Sequence, residues 1–400
     1  MTVMRRISIF LAIILVGILL LITLKTPGGL PGFWVMFSSA FALNKVEIDN
    51  DLDVTFTLPP GFNIQLFAEN LDYPRFMQIT QQQNLIVSLP DSGNIIILKD
   101  LDEDEKAETV EVLITNLDNP QGIVLYNDWL YFSERDKISR VRFNHQKGTL
   151  AGNPEILISD LPYRHPSWTH NVKPIGISPS GKLHINIGSP CNTCEPDDSR
   201  YSAMHIANLD GTNLEIHATG LRNSIAFDWA PWSGELYATD NGSDFLGDDF
   251  PPDELNRIIK SGFYGWPYLH GKNVPDPKYG VNNPLPISAA IPPAFEIPAH
   301  NAPLGIHFIR QADDLPAAYN HSALVALHGS WNRSEPDGYK VISLHWTKGG
   351  TIESLDFLSG FLTPKGVIGR PVDIKQRADG SFYISDDLGG RIYLVKFSRE

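Results

Sequence analysis

The segment from Gly220 to Tyr268 holds the densest set of residues that could do chemistry. Within fifteen residues of it stand seven carboxylate or amide side chains: Asp240, Asn241, Asp244, Asp248, Asp249, Asp253 and Glu254. Carboxylates at this density repel one another unless a cation or a guanidinium balances their charge. Hard oxygen ligands beside the turn-forming glycines Gly242 and Gly247 suit Ca²⁺, although the spacing is not that of an EF-hand loop. The sequence therefore predicts a Ca²⁺ site, with a solvated acidic loop as the alternative.

Cys191 and Cys194 are the only cysteines of the chain, and they are three positions apart. In a cytosolic protein this spacing would suit a redox pair or half of a zinc site. No second pair is present to complete a structural zinc site. In an oxidising compartment two such cysteines form a disulfide, which is the state we expect.

The elements that must position these residues are β-strands. From Val46 onward, short apolar runs alternate with turns rich in Gly, Asn, Asp and Pro. A weak repeat of polar turn, apolar strand and polar cluster recurs six times, at 92–98, 127–141, 180–189, 233–244, 320–334 and 379–395. Six such units predict an all-β, six-bladed β-propeller whose polar clusters converge at one end of a central channel. We expect a single domain over residues 46–400.

Two parts of this domain are predicted to depart from the repeat. Residues 252–261 have the acidic start of a short helix of about two turns. The stretch 245–310 is rich in Pro and aromatic residues. We expect it to form one large loop over the mouth of the channel.

The N-terminus carries a membrane signal. Two arginines precede an apolar run from Ile7 to Leu24, close to the ~20 residues that cross a bilayer as a helix. We predict a transmembrane anchor over residues 1–27 and an apolar linker over 28–45. The body should then lie in the periplasm or another extracytoplasmic space, because positive charge stays on the cytoplasmic side. Cleavage of a signal peptide near residues 39–42, followed by secretion, is the alternative.

Five stretches in collinear order, covering about residues 50–400, resemble the glucose/sorbosone dehydrogenase family of quinoproteins, and its sorbosone-type branch in particular. The first is LPPGFNIQLFAENLDYPRFM at 58–77. The others are GLRN with SGELYATDNGSDFLGDDFPPDELN at 220–256, GFYGWPY at 262–268, ALHGSWNRSEPDGY at 326–339 and GRPVDIKQRADGSFYISDDLGGRIYLV at 369–395. Any one fragment would be weak evidence, but their common order makes the resemblance specific.

The resemblance implies a propeller that binds pyrroloquinoline quinone (PQQ) and Ca²⁺ in its channel and oxidises sugars by hydride transfer. His170 matches the position of the base that takes the hydroxyl proton, a task for a side chain that titrates near neutral pH. Arg222 matches a cation that stabilises charge on the reduced cofactor, and Asn223 matches a neighbouring hydrogen-bonding group. The candidate Ca²⁺ ligands are the backbone oxygens of Gly242 and Ser243 and the carboxylates of Asp244, Asp248 and Asp249. A structural histidine and a salt bridge within the acidic run are the alternatives for His170 and Arg222.

Further polar residues are expected to hold the cofactor, which carries three carboxylates. Arginine pairs with a carboxylate through two N–H groups at once, and a tryptophan can stack on a flat ring system. The candidates are Arg75, Gln121, His328, Trp331, Asn332, Arg333 and Arg370. A purely structural role in the propeller is the alternative for the arginines and for Trp331.

The chain departs from the glucose-oxidising members of the family at one informative position. Those members have an acidic residue after the glycine that corresponds to Gly188, and it orients the catalytic histidine. Here Ser189 follows, so the carboxylate is missing unless Glu195, Asp197 or Asp198 supplies it. The difference puts glucose in doubt as the substrate, and we expect a sugar or an aldehyde.

Electrons are expected to leave to a membrane quinone or a cytochrome, because the predicted anchor would hold the enzyme near such acceptors. The chain has no Cys-x-x-Cys-His motif for haem attachment, so the acceptor is expected to be a separate molecule. The net charge of −14 argues against a nucleic-acid partner. Two other functions stay open. One is a non-catalytic anchored propeller that binds sugars or proteins, since a fold does not fix a function. The other is a Ca²⁺-dependent lactonase-type hydrolase, which the several arginines in the loops disfavour.

Overall fold

The computed structural model describes residues 29, 32–34, 55–164, 170–281 and 287–398. The predicted anchor at 1–27 lies outside these residues, and little of the predicted linker is described. Nowhere in the described part of the chain does a helix have the length and apolar character needed to cross a membrane. From residue 55 onward the described chain is mostly β-structure and connecting turns.

Six antiparallel sheets form the blades of a propeller, which confirms the predicted fold. In the described part of the chain the first strand is β1 (Phe62–Ala68). Blade 1 contains β2 (Met77–Ile79), β3 (Leu85–Leu89), β4 (Asn94–Lys99) and β5 (Thr109–Ile114). Blade 2 contains β6 (Ile123–Tyr126), β7 (Trp129–Ser133), β8 (Ile138–Asn144) and β9 (Thr149–Ile158). Blade 3 contains β10 (Ile175–Ile177), β11 (Leu183–Ile187), β12 (Ala203–Ala207) and β13 (Glu215–Thr219).

The remaining blades include short additional elements. Blade 4 contains β14 (Phe227–Trp229), β15 (Leu236–Asp240) and β16 (Asp253–Ile258). The chain then forms β17 (Gly262–Phe263), β18 (Leu269–His270), β19 (Val274–Pro275) and a 3₁₀ turn at Ile287–Ala289, before β20 (Phe295–Ile297) completes that blade. Blade 5 contains β21 (Pro303–Phe308), a 3₁₀ turn at Ala317–Tyr319, β22 (Ser322–Leu327), β23 (Lys340–Trp346) and β24 (Ile352–Leu358). A hairpin of β25 (Leu362–Thr363) and β26 (Gly366–Val367) precedes blade 6, which contains β27 (Pro371–Gln376), β28 (Phe382–Asp386) and β29 (Arg391–Phe397).

The ring is closed by the first strand of the chain. β1 pairs antiparallel with β29, with Phe62 opposite Phe397 and Ile64 opposite Val395, so β1 is the outermost strand of blade 6. The first strand of each blade faces the channel, and β2 contacts both β6 and β27 around it. Residues from opposite ends of the sequence therefore complete one sheet.

The blades pack against one another through their second strands. β3, β11, β15, β22 and β28 are buried along their whole length. A strand covered on both faces is a near-continuous apolar run rather than an alternating one, as in the sequence LIVSL of β3. Each large apolar side chain buried in this way contributes about 1.5–3 kcal/mol to folding.

The same second strands fix the loops at one end of the channel. In four blades, a polar side chain at or next to the end of the second strand accepts a hydrogen bond from a backbone N–H just before the inner strand. The pairs are Phe76 N–H to Ser88 Oγ (3.0 Å), Gly122 N–H to Ser133 Oγ (2.8 Å), Arg222 N–H to Asp240 Oδ2 (2.9 Å) and Arg370 N–H to Asp386 Oδ1 (2.7 Å). The polar side chains of the repeat therefore converge at one end of the channel, where they hold these loops in place.

Three details of the sequence prediction were wrong. The first repeat unit, 92–98, falls on the third strand of blade 1, because its Ser-Gly turn precedes β4, whereas the turn before the second strand is TQQQN. Residues 252–261 form β16 instead of a helix, since pairing with β15 and β20 on both edges outweighs a weak helix propensity. The stretch 245–310 is not one large loop: it contains several strands, and β17 extends the outer edge of blade 3.

Candidate active site

A cavity of about 560 Å³ lies at the end of the channel where β10, β14 and β21 begin. This volume is within the roughly 300–1,000 Å³ of sites that bind small molecules and cofactors. Seven of the predicted catalytic, cofactor-binding and metal-binding residues line it, namely His170, Arg222, Asn223, Gly242, Asp244, Trp331 and Asn332. The structure thus brings together the predicted base, the predicted cation and part of the acidic run.

His170 lies in this cavity with one ring nitrogen engaged. Its Nδ1 is 2.8 Å from Ser189 Oγ and 3.0 Å from the Ser189 carbonyl oxygen. Burial, together with the positive charge of Arg222, lowers the pKa of His170 to about 3. The imidazole is therefore neutral at physiological pH and able to accept a proton.

The carboxylates proposed as partners for His170 are engaged elsewhere. Glu195 accepts a hydrogen bond from the Tyr268 hydroxyl at 2.8 Å, Asp197 pairs with Arg164 at 3.1 Å and Asp198 pairs with Arg200 at 2.7 Å. Ser189 occupies the place beside the imidazole.

Arg222 is buried, and its guanidinium bonds both to Asn192 and to the acidic run. Its guanidinium donates to the Asn192 carbonyl oxygen (2.9 Å), to Asn192 Oδ1 (2.7 Å), to the Asn241 carbonyl oxygen (3.0 Å) and to Asp244 Oδ2 (3.0 Å). The predicted salt bridge within the acidic run is present, and it coexists with exposure of Arg222 to the cavity. The cation is thus held in one orientation by four hydrogen bonds.

The rest of the acidic run divides into separate roles. Asp240 accepts hydrogen bonds from the backbone N–H groups of Arg222 and Asn223, and Asp253 accepts from Gly242 N–H and Ala302 N–H, both at 2.8 Å. Burial raises the pKa of each of these two carboxyl groups to about 7. They hold the backbone of the site, a role that the sequence pattern did not reveal.

Two of the predicted metal ligands are not gathered at the cavity. Asp248 accepts a hydrogen bond from Ser334 N–H at 2.9 Å, and the exposed Asp249 pairs with Arg333 at 3.3 Å. Among the described residues, the one group of three or more carboxylates close enough to share an ion lies elsewhere, on the largely exposed loop between β4 and β5 of blade 1: Asp100, Asp102, Asp104 and Glu108.

A small cavity of about 20 Å³ lies behind the site, against Gly242 and Ser243. Asp240 and Glu254 also line it, and it has room for one ion or one water molecule. Burial, with the neighbouring charge of Asp240, raises the pKa of Glu254 to about 8. The carboxyl groups of Asp240 and Glu254, next to the backbone of Gly242 and Ser243, offer the hard oxygen ligands that suit a cation such as Ca²⁺. Glu254 belonged to the acidic run, but its spacing alone did not distinguish it from Asp248 and Asp249.

Three more of the predicted cofactor residues meet at Asp387, between blades 1, 5 and 6. Its carboxylate contacts Arg75 Nη1 at 2.7 Å, Arg370 Nε at 3.0 Å and His328 Nε2 at 2.9 Å. These three partners hold the pKa of Asp387 far below its usual range, despite its burial. Asp387 was missed in the sequence, although it follows the second strand of blade 6 as Asn241 follows that of blade 4.

Replacing Asp387 by asparagine is expected to lower the free energy of unfolding by about 1–3 kcal/mol at pH 7, because three buried donors lose an ionised acceptor. A depressed carboxyl pKa means that the stabilisation is complete above about pH 4 and is lost on further acidification. Urea titrations should therefore show the difference between wild type and variant narrowing from pH 7 towards pH 3. A cost that is the same at both pH values would contradict this account; Asp249→Asn is the exposed control.

The other predicted cofactor residues have varied surroundings. Gln121 is buried and donates to Asn119 Oδ1 at 3.0 Å. Asn332 donates to Asp244 Oδ1 at 3.0 Å, which ties blade 5 to the acidic loop. Trp331 is 55% exposed and meets Phe245 edge-on, with ring centroids 5.5 Å apart. Arg333 is bound to the backbone of the loops around it rather than facing the cavity.

The loop between β11 and β12 carries the predicted disulfide, which joins Cys191 to Cys194. Cys191 and Asn192 line the cavity beside Arg222. One cysteine of the disulfide is therefore part of the wall of the site.

Comparison with known proteins finds relatives of this chain both in sequence and in structure. An uncharacterized protein of Borreliella burgdorferi is 34% identical over 384 residues, covering 92% of this chain and 98% of the relative. A calcium structure from family AA12 of Trichoderma reesei superposes with a TM-score of 0.73 at 18% identity, over 88% of this chain and 100% of the other. The holo PQQ domain of pyranose dehydrogenase from Coprinopsis cinerea superposes with a TM-score of 0.70 at 19% identity, with the same coverage of 88% and 100%.

The structural likenesses, at such low identity, establish the fold. Membership is shown by the sequence profile of one family, which matches residues 56–257 and 282–398, most of the propeller. This chain belongs to the TrAA12-like family.

Proposed function

We propose that this protein is a PQQ-dependent sugar dehydrogenase. The observation that carries the proposal is a single cavity in which a neutral imidazole, His170, stands beside a buried guanidinium, Arg222. Oxidation of a hydroxyl group by hydride transfer needs these two functions, one to take a proton and one to stabilise developing negative charge. Two solved structural relatives, the PQQ domain of pyranose dehydrogenase from Coprinopsis cinerea and the PQQ-bound aldose sugar dehydrogenase from Streptomyces coelicolor, support the same proposal.

The cavity fits the cofactor and its cation. Arg222 and Asn223 present donors at its wall, and Asn332 has a buried Oδ1 without a partner among the described residues. Gly242 and Ser243, between the cavity and the ion-sized space behind it, would hold Ca²⁺ through their carbonyl oxygens, with Asp240 and Glu254 nearby. Arg75, His328 and Arg370 form a second group of donors around Asp387 at the same end of the channel, suited to a carboxylate of the cofactor.

Each residue then has a definite task. When bound, PQQ would supply the acceptor for the hydride. His170 takes the hydroxyl proton of the substrate on Nε2 while the carbon loses its hydride, so that proton and electron pair both leave the substrate. Arg222 holds its charge in place through its four hydrogen bonds. Trp331 and Phe245 offer an aromatic wall at the mouth, against which the apolar face of a sugar packs.

The finer parts of the proposal concern substrate, location and acceptor. We propose a sugar or aldehyde substrate of the sorbosone type rather than glucose, because Ser189 replaces the acidic neighbour of the histidine. We propose that the body is held outside the cytoplasm by an N-terminal anchor and passes electrons to a membrane quinone or a cytochrome. The disulfide in the site wall supports an oxidising compartment.

A titration tests the proposal directly. The full chain, made in an oxidising compartment and freed of metal, should bind PQQ in a Ca²⁺-dependent way, seen by absorbance and by a raised melting temperature. At a concentration a hundred times Kd, binding stabilises a protein by about 2.7 kcal/mol. Ca²⁺ alone and PQQ alone are the controls. A chain that binds no PQQ with Ca²⁺ present contradicts the proposal and leaves a binding propeller as the better account.

If binding is found, a panel of pyranoses and sugar aldehydes with an artificial electron acceptor separates the substrate classes. Turnover with aldehydes and little with glucose would agree with the sorbosone-type assignment. Preference for glucose would contradict it while leaving the dehydrogenase proposal intact.

A further inference from the structure

The turn from Ser189 to Cys194, here called the disulfide turn, stands between the two reactive groups of the site. It follows β11, and the Cys191–Cys194 bond closes it. On one side it meets His170, and on the other it meets Arg222. None of the tasks assigned above explains why both contacts come from the same few residues.

On the His170 side, the contacts select one tautomer. The Ser189 hydroxyl donates to the Cys191 carbonyl oxygen at 2.6 Å, which leaves Ser189 Oγ as an acceptor towards the ring. The second atom near Nδ1, the Ser189 carbonyl oxygen, can only accept. Nδ1 must therefore carry the proton, and the lone pair of the neutral imidazole is on Nε2. A serine and a carbonyl thus fix the tautomer without a carboxylate.

On the Arg222 side, the hydrogen bonds of Asn192 connect the guanidinium to the acidic run. Its carbonyl oxygen and its Oδ1 accept two of the four hydrogen bonds of the guanidinium, at 2.9 and 2.7 Å. The same Oδ1 accepts from Asp244 N–H at 2.8 Å, and Asn192 Nδ2 donates to the Asp244 carbonyl oxygen at 3.0 Å. Asn192 therefore aligns Arg222 with the loop that carries the candidate Ca²⁺ ligands.

The disulfide fixes the positions of these two sets of contacts relative to each other. Asn192 lies between the two cysteines, and Cys191 supplies the acceptor that orients the Ser189 hydroxyl. A cross-link over so short a loop leaves the backbone between its ends few conformations. Asn192 and Ser189 are thus placed by one rigid unit.

We propose that the disulfide turn is a positioning device for the reaction, in which Ser189 sets the tautomer of His170 and Asn192 orients Arg222. The inference rests on the proposed function for its chemical purpose. Its structural content, a particular tautomer and a particular orientation, holds without any cofactor and is measured without one.

The tautomer is read by long-range ¹H–¹⁵N NMR of the apo-protein labelled at histidine, with His170 assigned by loss of its signals in His170→Gln. Wild type should show the Nδ1–H form at pH 7. Ser189→Ala should populate the second tautomer, and Ser189→Thr, which keeps the hydroxyl, should restore the wild-type pattern. An Nε2–H form in wild type overturns the proposal, and an unchanged pattern in Ser189→Ala overturns the role of Ser189.

The disulfide is tested on the same signals. In Cys191→Ala/Cys194→Ala, the His170 signals should split or broaden as the turn samples several conformations. Unchanged His170 signals in this variant would show that the turn needs no cross-link to hold the ring, and would overturn that part of the proposal.

The Arg222 side is tested by cofactor affinity. Loss of a hydrogen bond to a charged group typically weakens an interaction about ten- to a hundredfold, so Asn192→Ala should raise the Kd for PQQ by that factor. Asn192→Asp, which keeps the acceptor oxygen, should recover most of the affinity, as a merely structural role would not predict. Asn208→Ala, on the β12–β13 turn, is the matched control. Equal affinity in wild type and Asn192→Ala overturns the role of Asn192, whereas absence of PQQ binding in wild type would count against the proposed function and leave the tautomer measurement to decide the inference.

Discussion

Replacing His170 by alanine is expected to lower kcat by about 10²–10⁴, the usual contribution of a positioned general base, while PQQ binding stays within a fewfold of wild type. The ring contacts Ser189 and the cavity, and it holds no part of the Arg222 or Asp387 groups. Its loss should therefore remove proton abstraction and leave the cofactor donors in place. Steady-state kinetics on the PQQ-loaded protein, beside a separate binding titration, measures the two effects.

The pH dependence gives a second check on His170. Because burial and Arg222 lower its pKa to about 3, the base is already deprotonated at pH 5. The acidic limb of kcat/KM due to this group should thus lie well below the value of about 6.5 of an ordinary histidine. His145→Gln, on the outer hairpin of blade 2, is the control. Full activity in His170→Ala, or an acidic limb near 6.5 that depends on His170, would contradict the assignment.

Replacing Arg222 by alanine is expected to damage both stability and cofactor binding. The buried guanidinium satisfies four acceptors, and removing one member of a buried ion pair costs about 3–5 kcal/mol. The free energy of unfolding should fall by that amount in urea titrations, and the affinity for PQQ should fall with it. Since the charge of Arg222 helps to lower the pKa of His170, that pKa should rise in the variant.

Arg222→Lys separates charge from geometry. A lysine keeps the positive charge but has a single ammonium group instead of the planar fork, so it cannot serve Asn192, Asn241 and Asp244 together. We expect stability between that of wild type and Arg222→Ala, with turnover closer to that of the alanine variant. Wild-type affinity in Arg222→Ala would exclude the residue from the cofactor site.

The fold was accessible from the sequence because its signals are local. The second strands are short and largely apolar, and each follows a turn of polar residues, so the count of such repeats predicted the number of blades. The wrong details had local causes too. The Ser-Gly turn of the first repeat unit precedes the third strand of blade 1, and β16 begins with acidic residues that resemble a helix start.

The site could be predicted only in part from the sequence, because contacts between residues of different blades leave no local sequence pattern. Arg222 and His170 were found through motifs. Asp387 contacts Arg75, His328 and Arg370, which come from distant parts of the chain, and no spacing in the sequence predicts these contacts. Likewise, the sequence shows the acidic run but not the role of each member. Only the structure shows that Asp240 and Asp253 bind backbone N–H groups whereas Asp249 is exposed.

The closure of blade 6 has a consequence for biogenesis. β1 is among the first parts of the propeller to be synthesised and its partner β29 is the last, so the chain emerges with an unpaired strand edge that waits for nearly the whole protein. Such an unpaired edge can form backbone hydrogen bonds with a strand of another chain and so promote aggregation. The same arrangement makes a cut just before β29 costly, because it would free β1 as well and open the ring of blades beside Arg75 and Arg370.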